Sequence, residues 1–346
     1  MRTLDVGVLG ATGVVGQQFL ARLARHPWFR PSWLAASERS EGKAYAAVAP
    51  WRLATPIPEL VARKTIESCT PGRGPRVVFS ALDAAVAGEI EHAFAAAGHF
   101  VVSNARNFRM DPLVPLLVPE VNADHLMLLP EQQREKRWTG AIVTNPNCST
   151  VVLAMALAPL RAFGLKTVIV STMQAVSGAG YPGVPSLDIL GNVVPFIGGE
   201  EEKMESETLK ILGVSGGRVP HPAIISAHTN RVAVLDGHLM TVSADFTAQP
   251  SIEDIVAALT TFRGRPQELD LPSAPNPPVI VNSEPNRPQP RLDADRGDGM
   301  AISVGRIRAC NVLHAKFVAL GHNTVRGAAG AAILNAELMA ADGIFD

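Results

Sequence analysis

A two-domain α/β fold is predicted by three features of this 346-residue chain. Short β-branched runs alternate with helical stretches through the first half, the pattern of a parallel sheet with crossover helices. A glycine-rich turn joins the first strand to the first helix. Beyond the middle of the chain the texture changes to long alternating β runs, which predict an antiparallel or mixed sheet in a second domain. The length points the same way, because one hydrophobic core seldom grows past about 250–300 residues.

In chain order, the first strand is expected at Asp5–Leu9, followed by a helix over Val14–Arg25. Further strands are expected at Trp33–Ala36, Val77–Ser80, Phe100–Ser103 and Leu116–Leu117, with helices over Ala84–Ala97 and Asn122–Leu129. The charged stretch Glu131–Arg137 reads as a solvated connector before a strand at Ala141–Thr144. Lys166–Met173 and Arg231–Phe246 are the long alternating runs. Leu271–Pro290 holds seven prolines and is expected to be an irregular surface excursion. The Ala-rich Asn323–Ala341 reads as a helix returning to the first domain. The expected division is therefore residues 1–147, joined by a C-terminal helix over about 323–346, and a second domain over residues 148–322.

Hydrophobic residues make up 47% and charged residues 18%, proportions of a folded globular protein rather than a disordered one. A formal net charge of −1 offers no global field to nucleic acid or to an anionic membrane, so neither is expected as a partner. No apolar stretch approaches the ~20 residues needed to cross a bilayer, and no signal peptide is read at the start of the chain. The three cysteines, at 69, 148 and 310, have neither metal-ligand spacing nor the number for a disulfide framework. A reducing cytoplasm is expected, and no metal.

Gly10-Ala11-Thr12-Gly13-Val14-Val15-Gly16 follows the first strand and opens the first helix, in a G-x-x-G-x-x-G spacing. Glycines permit the tight turn and let the backbone approach a pyrophosphate at the helix N-terminus. This makes the first domain a Rossmann-type dinucleotide-binding domain, with Gly10, Thr12, Gly13, Val14 and Val15 as candidate contacts. Where a ribose-binding acid would end the second strand, the chain has Ser37. Arg39, Ser40 and Lys43 suit a 2′-phosphate, so NADP is favoured over NAD, while Glu38 would instead serve a free 2′-hydroxyl.

Asn145-Pro146-Asn147-Cys148-Ser149-Thr150 runs straight into the apolar Val151–Leu157. The run predicts a buried helix with Asn147 or Ser149 as its cap. A sulfur in that first turn meets the positive end of the helix dipole and unpaired N–H groups, both of which favour thiolate. The same N–H groups would hold an oxyanion formed on a carbonyl attacked by the sulfur. The competing reading is a small buried hydrophobe, the usual fate of a free cysteine. Cys69 and Cys310 take that structural reading, having no cap, glycine-rich turn or polar cluster beside them. A dinucleotide turn followed by a capped cysteine implies hydride transfer at the acyl level.

Two further stretches are Met173-Gln174-Ala175-Val176-Ser177-Gly178-Ala179-Gly180-Tyr181-Pro182-Gly183 and Asn230-Arg231-Val232-Ala233-Val234-Leu235-Asp236-Gly237-His238. With Gly10–Gly16, Ser103–Met110, Asn145–Thr150 and Gly198–Lys203, they resemble aspartate-semialdehyde dehydrogenase, most closely its archaeal and fungal branch, from residue 7 to about residue 340. The resemblance implies Cys148 as nucleophile, His238 as general acid/base and Gln174 as the group that orients substrate near the thiol. It implies that Arg231 clamps the substrate carboxylate, a task suited to guanidinium geometry. Glu200 would face the substrate amino group, and Arg109, Asn147 and Lys203 would line the phosphate site. Ser80, Ser177, Gly178 and Asn323 would join the cofactor contacts, Asn323 at the nicotinamide end. The implied reaction is the reversible, NADPH-dependent reductive dephosphorylation of L-aspartyl-4-phosphate through a cysteine thioester, a step in lysine (diaminopimelate), threonine and methionine biosynthesis. A homodimer or homotetramer is also implied, built by a second domain that is an α+β catalytic and dimerisation domain with a mixed sheet.

Spacing leaves several assignments open. Arg231 and His238 lie seven apart, an odd offset that puts them on opposite faces of a regular strand. A shared pocket requires Asp236-Gly237 to break the alternation. His221, His228 and His322 are rivals to His238, and His228 is the most serious because it lies three residues before Arg231. Arg106 competes with Arg109 for phosphate, and Lys203 would equally be an exposed i,i+3 partner of Glu200. Two other functions stay in view: a malonyl-CoA reductase using the same cysteine, and a non-catalytic nucleotide sensor. Glu200 and Arg231 favour an amino-acid substrate over the first. Cys148, Gln174, Arg231 and His238 together speak against the second.

Overall fold

A computed structural model describes residues 3–345. Six strands form the first sheet: β1 (Leu4–Leu9), β2 (Phe29–Ala36), β3 (Ile66–Ser68), β4 (Val77–Ser80), β5 (Phe100–Ser103) and β6 (Ala141–Thr144). They run parallel in the order β3-β2-β1-β4-β5-β6. Strands β4, β5 and β6 are buried at every position. That explains their unbroken apolar runs: a parallel sheet covered on both faces has no solvent side to alternate with. Helices α1 (Val14–Leu23) and α2 (Ala84–Ala96) follow β1 and β4. The chain reverses direction across the sheet between β1 and β4, and ligands of open α/β sheets bind beyond the carboxyl ends at such a point.

Three expectations for this half need correction. Leu116–Leu117 is no strand of the sheet; Leu116 makes only an isolated bridge to Thr144. The expected helix at Asn122–Leu129 is a one-turn helix, Pro119–Asn122, running into a 3₁₀ segment, Ala123–Leu128. The supposed connector is helical as α3 (Leu129–Lys136). Its charges face solvent, but Gln132 turns inward, donating to the carbonyls of Leu113 and Ile142 and accepting the N–H of Ile142. A charged run with one inward-facing amide reads as a loop from composition alone.

The second sheet contains β7 (Leu165–Gln174), β8 (Ile224–Arg231), β9 (His238–Phe246), β10 (Val279–Asn282), β11 (Ile302–Ala309) and β12 (Ala315–Gly321), in the order β10-β11-β12-β9-β7-β8. It is mixed: β7–β8 and β10–β11 are parallel, and the other neighbours antiparallel. The single run expected over Arg231–Phe246 is two strands. β8 stops at Arg231 and β9 starts at His238, with β7 between them in the sheet. Gly237, at φ +96°, turns the chain into β9. The proline-rich Leu271–Pro290 stretch carries the short edge strand β10 within otherwise irregular chain.

Helix α4 (Cys148–Leu157) is buried along Ser149–Leu157 and shares one core with Val168, Val170, Met240, Val304 and Phe317 of the second sheet. A helix apolar all round belongs inside a core. Helix α5 (Glu200–Ile211) packs against it. The last helix starts later than expected. After a π turn at Val325–Ala329 comes α6 (Gly330–Ala341), whose Ile333, Leu334, Leu338 and Met339 share a core with Val6, Phe79 and Phe100. Among the described residues no helix is long and apolar enough to cross a membrane.

Candidate active site

The glycine turn is built for close approach. Gly10 sits at φ +73°, and a Cβ there would lie 2.6 Å from the Ala81 carbonyl oxygen. A Cβ on Gly16 would lie 2.3 Å from the Gly10 oxygen, so helix and turn touch only because both residues lack side chains. Gly13 is the N-cap of α1 and no side chain caps the helix, which leaves first-turn N–H groups for an anion. Tyr45 steadies the turn through its hydroxyl, which donates to the Ala11 carbonyl at 3.0 Å. Thr12 accepts the Gln17 amide at its carbonyl, and Val14 and Val15 start the helix half-buried. Ser37, Arg39 and Lys43 are exposed and Ser40 half-buried in the turn after β2, the neighbour of β1. The chemistry of this cradle fits a phosphorylated dinucleotide.

Cys148 opens α4, as the cap pattern predicts. Asn147 is the cap, its Oδ1 accepting the N–H groups of Ser149 at 2.9 Å and Thr150 at 3.2 Å. Cys148 Sγ lies 3.2 Å from His238 Nε2. His238 Nδ1 accepts the Ala175 N–H at 3.1 Å, which leaves the neutral ring's proton on Nε2, facing the sulfur. Burial, then Arg231 and His322, pushes His238 down to about 3, so the imidazole is neutral.

Two expectations about the sulfur are corrected here. Burial and the Glu200 carboxylate push the Cys148 thiol up to about 12, outweighing Arg109, Arg231 and the helix start. The resting group is therefore a thiol. The expected oxyanion hole is partly occupied: Asn147 Oδ1 accepts the N–H groups of Ser149 and Thr150, and Glu207 accepts the Asn147 N–H at 2.6 Å. The Ser149 N–H also reaches the sulfur, and His238 Nε2 faces it.

Beside the thiol is a cleft of ≈ 410 Å³ that Arg106, Arg109, Asn147, Gly178, Glu200, Lys203 and Arg231 help to line. Arg231 donates from one guanidinium nitrogen to the Ala175 carbonyl at 2.8 Å, and the remainder faces the cleft. It shares the pocket with His238, since a Cβ on Gly178 would lie 2.9 Å from an Arg231 nitrogen and 3.0 Å from His238 Nε2. The odd offset between them is no obstacle, because they belong to different strands. Glu200 receives Asn147 Nδ2 on both oxygens at 2.9 Å and lies 3.5 Å from Lys203 Nζ. The i,i+3 pair thus exists, and both members line the cleft. Arg109 is buried against Glu207, whereas Arg106 is exposed.

Other assignments fare differently. Gln174 is buried, with its amide 3.3 Å from Thr172 Oγ1, and is not brought to the cleft lining. Ser80 ends β4 fully buried, its hydroxyl sealed beneath the surface. Asn323 donates to Ser177 Oγ at 2.7 Å and accepts the Gly237 N–H at 2.9 Å, tying together the two turns that flank His238. His228 points outward from β8, and His221 bonds its own turn at Ala223. His322 is buried near Asp295, close enough to influence His238 without touching the sulfur. Glu207 was not foreseen; its signal was the seven-residue spacing from Glu200 on one helix face.

A glycine-cradled dinucleotide turn opposite a capped cysteine–histidine pair marks the semialdehyde dehydrogenase class. Its NAD binding domain model matches residues 5–129 and its dimerisation domain model residues 157–326. Among curated relatives, the aspartate-semialdehyde dehydrogenase of Archaeoglobus fulgidus is 51% identical, over 97% of each chain. That of Methanothermobacter thermautotrophicus is 52% identical, over 97% of this chain and 99% of its own. The crystal structure of the Candida albicans enzyme with NADP superposes with a TM-score of 0.91 at 42% identity, covering 99% of this chain and 100% of the other. The chain belongs to the aspartate-semialdehyde dehydrogenase family.

Proposed function

We propose that the chain catalyses the reversible, NADPH-dependent reductive dephosphorylation of L-aspartyl-4-phosphate to L-aspartate 4-semialdehyde. The observation that carries this is the 3.2 Å sulfur–imidazole contact beside a cleft presenting Arg231, Glu200 and Lys203. Those charges complement a substrate with a carboxylate, an ammonium and a phosphate. Gly10, Gly13, the first turn of α1 and the Ser37–Lys43 turn would hold the cofactor.

Arg231 takes the carboxylate and Glu200 the ammonium. Pairing Glu200 with a cation cancels one cause of the raised thiol, so substrate binding favours ionisation of Cys148. The sulfur attacks the acyl carbon; a C–S bond forms, the C–O bond to phosphate breaks, the thiol proton leaves on the phosphate as hydrogen phosphate, and Lys203 with the Arg109 region receives that anion. When bound, NADPH supplies the hydride that reduces the resulting thioester. Neutral His238 donates a hydrogen bond from Nε2 to the oxygen that becomes negative, and when that oxygen re-forms the carbonyl the C–S bond breaks, releasing aldehyde and the Cys148 thiolate. Exposed Leu187, Leu190 and Phe196 support burial against a second copy, and a cytoplasmic enzyme is consistent with its three free cysteines.

The test is NADP reduction with aspartate semialdehyde and inorganic phosphate, beside NADPH oxidation with malonyl-CoA. Activity in the first and none in the second is expected. Cys148→Ser should abolish turnover and leave NADP binding intact; parental turnover in that variant would remove the thioester from the mechanism.

A further inference from the structure

Helix α5 reaches the nucleophile with two carboxylates, and the mechanism above uses only one. Glu200 and Glu207 are seven residues apart, two turns along the same face, and both are buried. Glu200 holds the side chain of Asn147. Glu207 holds its backbone: Oε2 accepts the Asn147 N–H at 2.6 Å. The other oxygen, Oε1, accepts from Arg109 at 3.1 Å, within an ion pair whose side chains are 10% and 3% exposed.

We propose that Glu207 is a positioning residue for this reaction: one carboxylate ties the peptide preceding Cys148 to the guanidinium of Arg109, so that sulfur and anion site keep a fixed spacing. The proposal rests on the functional reading above. The surroundings support it. A second Arg109 nitrogen donates to the Asn104 carbonyl at 2.8 Å, which leaves the guanidinium little freedom to swing. Lys210, one turn beyond Glu207, donates to the carbonyls of Arg109, Asp111 and Val114 at 2.7, 2.8 and 3.0 Å. Helix α5 thus anchors both the loop that carries Arg109 and the turn that carries the sulfur.

The physical case turns on charge. An arginine that only had to bind phosphate would do so more tightly without a buried carboxylate against it, because the carboxylate cancels part of its field. A carboxylate at that position weakens affinity and secures geometry. Attack by sulfur while phosphate departs demands alignment, and misplacement by about 1 Å costs on the order of a hundredfold in rate.

The experiment compares Glu207→Gln with Glu202→Gln, an exposed acid on the same helix, in the full-length protein with NADP, aspartate semialdehyde and phosphate. Glutamine can accept from only one of the two donors and presents an N–H to the other. We expect kcat of Glu207→Gln to fall about thirtyfold with KM for phosphate unchanged or lower, and Glu202→Gln to match the parent. A kcat within twofold of the parent, with any change confined to melting temperature or to a raised phosphate KM, overturns the proposal. If Glu207→Gln does not fold, Glu207→Asp keeps the charge but is one methylene too short to reach both donors, and its kcat must fall likewise; parental kcat there is equally fatal. An inactive parent would instead refute the functional reading, whereas an active parent with an unaffected variant refutes this inference alone.

Discussion

Asn147→Asp is nearly isosteric, and the structure says it is not neutral. The cap survives, because an aspartate oxygen still accepts the N–H groups of Ser149 and Thr150 and its charge favours a helix start by about 0.3–1 kcal/mol. What is lost is the amide that donates to both oxygens of buried Glu200 at 2.9 Å. Hydrogen bonds to charged groups contribute about 1.5–3 kcal/mol each, and here they give way to two carboxylates in contact. Two such bonds exceed the cap's gain by about 2–6 kcal/mol. At about 1.4 °C per kcal/mol for a chain of 346 residues, the melting temperature should fall by about 3–8 °C. Thermal unfolding at pH 8 measures it, with Asn147→Ala as the reference that loses the cap as well. A variant that melts at or above the parent would refute the reasoning, since Glu200 would then have no need of the amide.

Gly178→Ala places a Cβ 2.9 Å from an Arg231 nitrogen and 3.0 Å from His238 Nε2, so kcat/KM should fall about a hundredfold while the protein stays folded; activity within threefold of the parent contradicts the packing. His238 stays neutral in the fold down to about 3, while an unfolded histidine takes up its proton near 6.5. Stability is therefore lost as pH falls through that window, about 2 kcal/mol by pH 5 at ~1.4 kcal/mol per unit. His238→Asn should flatten the urea-midpoint slope between pH 7 and 5, and an unchanged slope tells against it. Alkylation of Cys148 by iodoacetamide without substrate should keep rising beyond pH 9, as a thiol pushed up to about 12 requires. A plateau by pH 8 would mean a resting thiolate.

Local chemistry made part of this site readable in the chain. The glycine turn and the Asn147 cap announce themselves because each is a rule about consecutive residues. Strands β4, β5 and β6 fall at the expected positions for the same reason: a doubly covered strand is apolar throughout. Convergence from distant residues was hidden. Nothing in the spacing of Arg231 and His238 shows that β7 passes between their strands, and a parity argument on one strand therefore misleads. Glu207 reads as one more solvated acid until α5 is laid against α4. The charge state of Cys148 was misjudged because the helix end is visible in sequence, whereas burial and the facing Glu200 are not. Gln174 shows the converse: a motif assigns it a role that no rule about consecutive residues explains, and its side chain is buried with its amide 3.3 Å from Thr172 Oγ1.

The polypeptide passes between its two halves twice, and the crossings are stitched side by side. Asn145 leaves the first sheet with Nδ2 donating to the Ala328 carbonyl at 2.8 Å and Oδ1 accepting from Asn335 at 2.6 Å. Cys148 stands three residues from this stitch, so the sulfur sits where the two crossings of the chain are tied to each other.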